Sequence, residues 1–251
     1  MGRGITLVTG ASAGLGAEFA RQCRRRGDEL VLVARRRDRL EALAAELGNA
    51  HVLASDLSRP GAPGRLLAEV EQLGLRVDIL INNAGFGASG GFEAASPERL
   101  LEMIVLNISA LTDLCRLALP LMLDRRRGFI LNVASTAAFQ AGPYSAVYYA
   151  TKAHVLSLSE ALHEETKGKG VHVTALCPGP TATEFFEVAG SPNGRLAKMA
   201  TDPKAVVAAG LAGLARNKAI VVPGLMNKMT SQAGRVLPRK VLRKAVAALK
   251  G

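Results

Sequence analysis

The sequence predicts an α/β protein: one domain built on a doubly wound, seven-stranded parallel sheet with helices on both faces. Three observations predict it. Seven short β-rich runs alternate with longer helix-like segments, the rhythm of successive βαβ units. Several of those runs are apolar at nearly every position rather than at alternate ones, as strands covered on both faces must be. The chain, at 251 residues and 26.3 kDa, suits one unit with a large core, and its sequence has no linker, internal repeat or low-complexity stretch.

The strand candidates run in order: "ITLVTG" from Ile5, "ELVLVA" from Glu29, "HVLASD" from His51, "VDILINNAG" from Val77, "GFILNVAS" from Gly128, "VHVTALCPG" from Val171 and "AIVVPG" from Ala219. Helix candidates between them include "RDRLEALAAEL", the segment from Pro97 to Leu123 and the segment from about Ala146 to Lys167. Right-handed crossovers then yield the doubly wound sheet. Residues 184–201, "EFFEVAGSPNGRLAKMAT", interrupt any period with Gly, Pro and Asn and predict a mobile flap with a short helix. Residues 235–251 form a basic amphipathic extension. Val241, Leu242, Ala245, Val246 and Leu249 make its apolar stripe beside Arg239, Lys240, Arg243 and Lys244. Such a helix docks on its own domain or a second subunit, or touches an anionic membrane surface.

Composition narrows the class. Hydrophobic residues at 49% and charged ones at 21% are ordinary for a folded soluble chain. The net charge of +11 suits anionic partners, but no nucleic-acid motif accompanies it, so nucleic acid is not an expected partner. Cys23, Cys115 and Cys177 are odd in number and sit in apolar stretches, which predicts reduced core thiols. No metal site is expected. The N-terminus runs straight into a strand, and no stretch is long and apolar enough to span a membrane, so the expected location is cytoplasmic.

In doubly wound sheets ligands bind beyond the carboxyl ends of the strands, which directs attention to the residues after each run. Gly10, Gly14 and Gly16 follow the first strand and open the first helix in "TGASAGLG". There backbone N–H groups and the helix dipole can face a pyrophosphate. After the second strand stand Arg35 and Arg36, where an NAD-selective fold presents a carboxylate to the ribose 2′-hydroxyl. Arginine can instead hold a 2′-phosphate by charge-assisted hydrogen bonds, which favours NADP(H) with NAD(H) as the alternative. In "PYSAVYYATK", Tyr148 and Lys152 lie four apart and Tyr149 and Lys152 three apart, so either tyrosine can share a helix face with the lysine. A neighbouring ammonium is expected to lower a phenol's pKa and fit it for proton transfer.

With these motifs in register, the sequence resembles the short-chain dehydrogenase/reductase family, a Rossmann-fold group, from Ile5 to about Gly224. The resemblance implies catalytic roles for Asn107, Ser135, Tyr148 and Lys152, and the spacing of Ser135 in the family pattern selects Tyr148 over Tyr149. It implies cofactor contacts at Gly10, Ser12, Ala13, Gly14, Leu15, Gly16, Arg35, Arg36, Asp56, Leu57, Asn83, Ala84, Gly85, Tyr148, Lys152, Pro178, Gly179, Thr181 and Thr183. Substrate contacts are expected at Ser135, Ala137, Phe139, Gln140, Tyr144, Tyr148, Phe185 and Phe186, a mostly apolar set. The implied reaction is hydride transfer between a nicotinamide and a small-molecule carbonyl or secondary alcohol. A 3-oxoacyl thioester on an acidic carrier is the alternative substrate, and a non-catalytic nucleotide-sensing protein the alternative function. A homodimer or homotetramer is expected.

Overall fold

The computed structural model describes residues 4–191, 194 and 199–250, with the side chains of 235, 236, 249 and 250 outside that description. Part of the expected flap (192, 193 and 195–198) and Leu249 of the C-terminal stripe therefore lie outside the described residues. The strands are β1 (Ile5–Thr9), β2 (Glu29–Ala34), β3 (Ala50–Ala54), β4 (Val77–Asn82), β5 (Gly128–Val133), β6 (Val171–Leu176) and a two-residue β7 (Ile220–Val221). They form one parallel sheet in the order β3-β2-β1-β4-β5-β6-β7. Chain direction across the sheet reverses between β1 and β4, and the crevice at their carboxyl ends is where such a sheet opens to a ligand.

The helices are α1 (Gly14–Arg25), α2 (Arg37–Leu47), α3 (Ala62–Gln72), α4 (Pro97–Ile104), α5 (Leu111–Asp124), α6 (Ala146–Glu165), α7 (Phe185–Val188), α8 (Pro203–Ala215), α9 (Leu225–Val236) and α10 (Arg239–Lys250). On α1 the residues Ala17, Phe19, Ala20 and Cys23 turn inward and join one core layer with Leu30, Leu32, Ile79, Ile81 and Leu211. The other layer packs Leu7, Val31, Leu80, Leu114, Met122 and Val155. Full burial of Phe19 alone contributes about 2–3 kcal/mol. The three cysteines are free and buried, as composition predicted.

Two features set the site. Asn82 and Asn132 are cross-strand partners at the ends of β4 and β5. Asn82 donates to Asn132 at 2.9 Å and Asn132 donates to Ser159 of α6 at 3.0 Å, so a buried polar chain locks α6 against the strand ends. The predicted 97–123 helix is not continuous α-helix: Val105–Ala110 is a π-helical turn between α4 and α5. The wider turn carries the buried Asn107, and such bulges recur at functional sites.

Candidate active site

The glycine turn is built for close approach of a ligand to backbone. Gly10 and Gly14 have φ of +67° and +55°, a left-handed region costly for residues with a Cβ. A Cβ at Gly16 would collide with the Gly10 carbonyl oxygen. The Asn83 side-chain amide donates to Thr9 O at 3.0 Å and Gly10 O at 3.3 Å. Thr9 Oγ1 accepts from the backbone N–H groups of Asn83 and Ala84, both at 3.0 Å. The turn is thus braced to β4 and presents its shape before any ligand arrives. Ala13 is the N-cap of α1 and has no side-chain acceptor, leaving the first helical N–H groups available to an anion. These features fit the pyrophosphate of a dinucleotide.

The two arginines after β2 turn to different partners. Arg35 turns to Glu102 at 2.9 Å. Arg36 instead reaches the glycine turn, donating through Nε and one NH2 group to Ser12 Oγ at 3.3 and 3.1 Å. Its other nitrogen pairs with Glu184 at 3.1 Å, and Arg39 pairs with the second oxygen of the same carboxylate. Arg39, which follows the turn, and Glu184, in the flap, were not singled out from the sequence. The Glu184 carboxyl is held below the usual range chiefly by its hydrogen bond from Arg39, opposed next by burial, with Arg36 lowering it further.

Beyond the β5 end, Ser135 caps a short 3-10 turn (Thr136–Phe139) and accepts from the Ala137 N–H at 3.1 Å. Tyr148 sits in the first turn of α6, with its hydroxyl close enough to Ser135 for that side chain to oppose the effect of burial. Its ring packs against Phe185 at 5.3 Å between centroids and Tyr149 at 6.1 Å. One turn on, Lys152 is 5% exposed and donates to Val133 O at 2.7 Å. Its Nζ lies 5.8 Å from the Tyr148 ring centroid. Burial pushes the Tyr148 hydroxyl up to about 12, outweighing the lowering by Ser135. Burial likewise pulls Lys152 down to about 8, opposed by the nearby Cys177. The expected lowering of Tyr148 by Lys152 is therefore a correction: at this separation, desolvation of the phenol dominates its protonation and Ser135 supplies the opposing bond.

Asn107 stands behind these groups rather than among them. It accepts from Phe86 N–H at 3.1 Å, donates to Phe86 O at 2.9 Å and to Thr151 Oγ1 at 3.1 Å. It thereby ties the π turn to both the β4 loop and α6.

These elements surround one cavity of about 1040 Å³. All the expected cofactor contacts line it except Gly16, which lies beneath the turn, and Asn107 is likewise set back. Of the expected substrate contacts, Ser135, Ala137, Gln140, Tyr144, Tyr148, Phe185 and Phe186 line it. Phe139 does not: it lies partly buried against the main core, a second correction. Tyr144 is half exposed with φ +60°. The buried Tyr149 packs with Ala137 and Val246. The far wall comes from α9 and α10, through Met226, Asn227, Thr230, Leu242, Ala245 and Val246. The amphipathic stripe of α10 was legible in the sequence; its target, the cavity, was not.

Comparison with known proteins agrees with this geometry. The short chain dehydrogenase family profile matches residues 4–193. Serine 3-dehydrogenase of Agrobacterium fabrum is 36% identical over 187 residues, covering 72% of this chain and 74% of that protein. The structure of a short-chain dehydrogenase from Sphingobium yanoikuyae in complex with NADPH superposes with a TM-score of 0.83 at 34% identity, over 95% of this chain and 94% of that one. A 3-ketoacyl-(acyl-carrier-protein) reductase from Brucella melitensis complexed with NADH gives a TM-score of 0.79 at 26% identity, over 89% and 97% of the two chains. The glycine turn at the β1–β4 crevice, the Ser135–Tyr148–Lys152 cluster and these matches together place the chain in the short-chain dehydrogenase/reductase family, oxidoreductases that act on alcohol and ketone groups with NAD(P).

Proposed function

We propose that this oxidoreductase interconverts a moderately hydrophobic carbonyl and its secondary alcohol, prefers NADP(H) to NAD(H), and moves the proton through Tyr148. The carrying observation is the convergence of Ser135, Tyr148 and Lys152 on one cavity that also contains the braced glycine turn. A nicotinamide held there supplies or takes the hydride. The Ser135 hydroxyl orients the substrate oxygen and Tyr148 delivers its proton to that oxygen in reduction or accepts it in oxidation. Burial keeps the Tyr148 hydroxyl protonated, so the proton that reduction needs is in place. Lys152, pinned by Val133 O, keeps further N–H donors for the nicotinamide ribose and for Tyr148. Asn107 keeps the Phe86 backbone and Thr151 in place behind them.

The preference for NADP(H) rests on Arg36 and Ser12 meeting at the ribose end of the turn, with Arg35 nearby. Phe185, Phe186 and the α9–α10 wall make the substrate end mostly apolar. Residues 184–201 act as the substrate flap and 235–251 as part of the pocket wall. The basic surface keeps a 3-oxoacyl group on an acidic carrier as the second reading. Exposed Leu101, Ile104, Leu117 and Leu121 on α4 and α5 supply an apolar face for a homodimer or homotetramer, in a cytoplasmic setting.

A carbonyl and alcohol panel followed by nicotinamide absorbance, with NADPH and NADH in parallel, tests the class. Tyr148→Phe is expected to lower kcat by at least about a thousandfold, while Tyr149→Phe retains turnover. The reverse pattern rejects the assignment, and turnover confined to carrier thioesters selects the second reading.

A further inference from the structure

The C-terminal helices have an exposed outer side that, apart from Met226, the cavity does not use. On α10, Leu242, Ala245 and Val246 face the cavity, whereas Arg239, Lys240, Val241, Arg243 and Lys244 are exposed. On α9, Leu225, Met226 and Met229 are 75%, 68% and 63% exposed. Their spacing puts them on one side of the helix, beside the exposed Lys228. Met226 also lines the cavity, so this apolar side borders the cavity mouth.

The charge of the segment is one-signed. From Pro203 to Gly251 the sequence has ten Lys or Arg residues and no Asp or Glu. Among the described residues, no carboxylate pairs with Lys228, Arg239, Lys240, Arg243 or Lys244. A second copy of the same acid-free face would meet it with like charge, which disfavours self-pairing. Projecting Leu and Met side chains gain nothing from a polyanion in water but gain from apolar burial beneath headgroups.

We propose that the outer face of α9 and α10 docks on an anionic lipid bilayer, with Leu225, Met226 and Met229 entering the interface and the basic residues of α10 facing the headgroups. The cavity mouth then opens beside the membrane, and an apolar substrate can pass between bilayer and site without crossing water.

The test uses the full chain and sedimentation with two vesicle types: pure phosphatidylcholine, and phosphatidylcholine with roughly one-third phosphatidylglycerol. Binding is expected only to the anionic vesicles and falls as salt is raised. Lys240→Gln with Arg243→Gln should weaken it about 25-fold, at roughly fivefold for each basic side chain near such a surface. Leu225→Ser with Met229→Ser keeps the charge and should still weaken it by about tenfold. These four residues lie outside the cavity lining, so turnover of a water-soluble substrate should stay at the parent rate in both variants. Equal binding to both vesicle types, no binding to either, or full binding by the Leu225–Met229 variant overturns the proposal. A lower assembly mass for that variant without lipid assigns the face to a second copy and overturns it too.

Discussion

The Glu184 carboxylate offers a sharp test of how the ribose end selects its cofactor. It shares the Arg36 guanidinium with Ser12, pairing with NH1 while Nε and NH2 point at the serine hydroxyl. A 2′-phosphate accepted by Ser12 and Arg36 would therefore stand across one guanidinium from Glu184, at about 6 Å, carrying about −1.5 to −2 charges at neutral pH. Coulomb repulsion at that distance in water is about 1–1.5 kcal/mol before ionic screening. Screening at physiological salt roughly halves it, and the 39% exposed Glu184 side chain makes the aqueous value the right one. Glu184→Gln removes the repulsion and keeps the side-chain shape. Its expected effect is NADPH binding tighter by about two- to threefold, with NADH unchanged because it has no 2′-phosphate. Fluorescence titration of both cofactors at two salt concentrations measures this, and the NADPH gain should shrink at the higher salt. Weaker NADPH binding by the variant would instead make Glu184 a buttress that holds Arg36 in place, and an equal change for both cofactors would dissociate it from the 2′-phosphate altogether. Arg36→Gln separates the levels: loss of the NADPH advantage supports the ribose-end reading, whatever Glu184→Gln does.

Three further outcomes follow from the same geometry. Gly16→Ala should weaken dinucleotide binding at least about tenfold, since its Cβ meets the Gly10 carbonyl and must displace the turn; calorimetric titration with NADPH checks it, and parent-like affinity would contradict the close packing of the turn. Asn107→Ala strips partners from the Phe86 N–H and carbonyl and from Thr151, and should cost about 2–4 kcal/mol in urea unfolding; a loss of turnover without that loss of stability would assign Asn107 a role beyond bracing. Lys152 binds its proton less tightly folded, at about 8, than unfolded, at the ordinary lysine value of 10.5. Between those values the unfolded chain carries the extra proton, so stability contributed at this site rises with pH, on the order of 2 kcal/mol across the window. Comparing the parent with Lys152→Met at pH values from about 8 to 10 isolates it, since Tyr148, raised to about 12, acts in the opposite sense only above about 10. Identical pH profiles for the two proteins would show that Lys152 is not desolvated.

The sequence by itself determined the sheet and the chemistry near it. Continuous apolar runs such as "ELVLVA" can be satisfied only between two helical layers, and glycines immediately after β1 serve a backbone that must approach a ligand. Those are local requirements, and local residues reveal them. The choice between Tyr148 and Tyr149 was not local: both satisfy helical spacing to Lys152, and in the structure the Tyr148 hydroxyl lies near Ser135 while Tyr149 packs with Ala137 and Val246. Tertiary structure also decided what the charged groups meet. Arg36 finds Glu184 across 148 positions of chain, a pairing no periodicity encodes. Burial raised Tyr148 where a neighbouring lysine alone predicts lowering, because desolvation depends on every element packed around the hydroxyl. Phe139 passed from expected pocket to core, and α10 from an unassigned amphipathic helix to a cavity wall. A hydrophobic stripe states that a face must be covered, and only the folded chain supplies the surface that covers it.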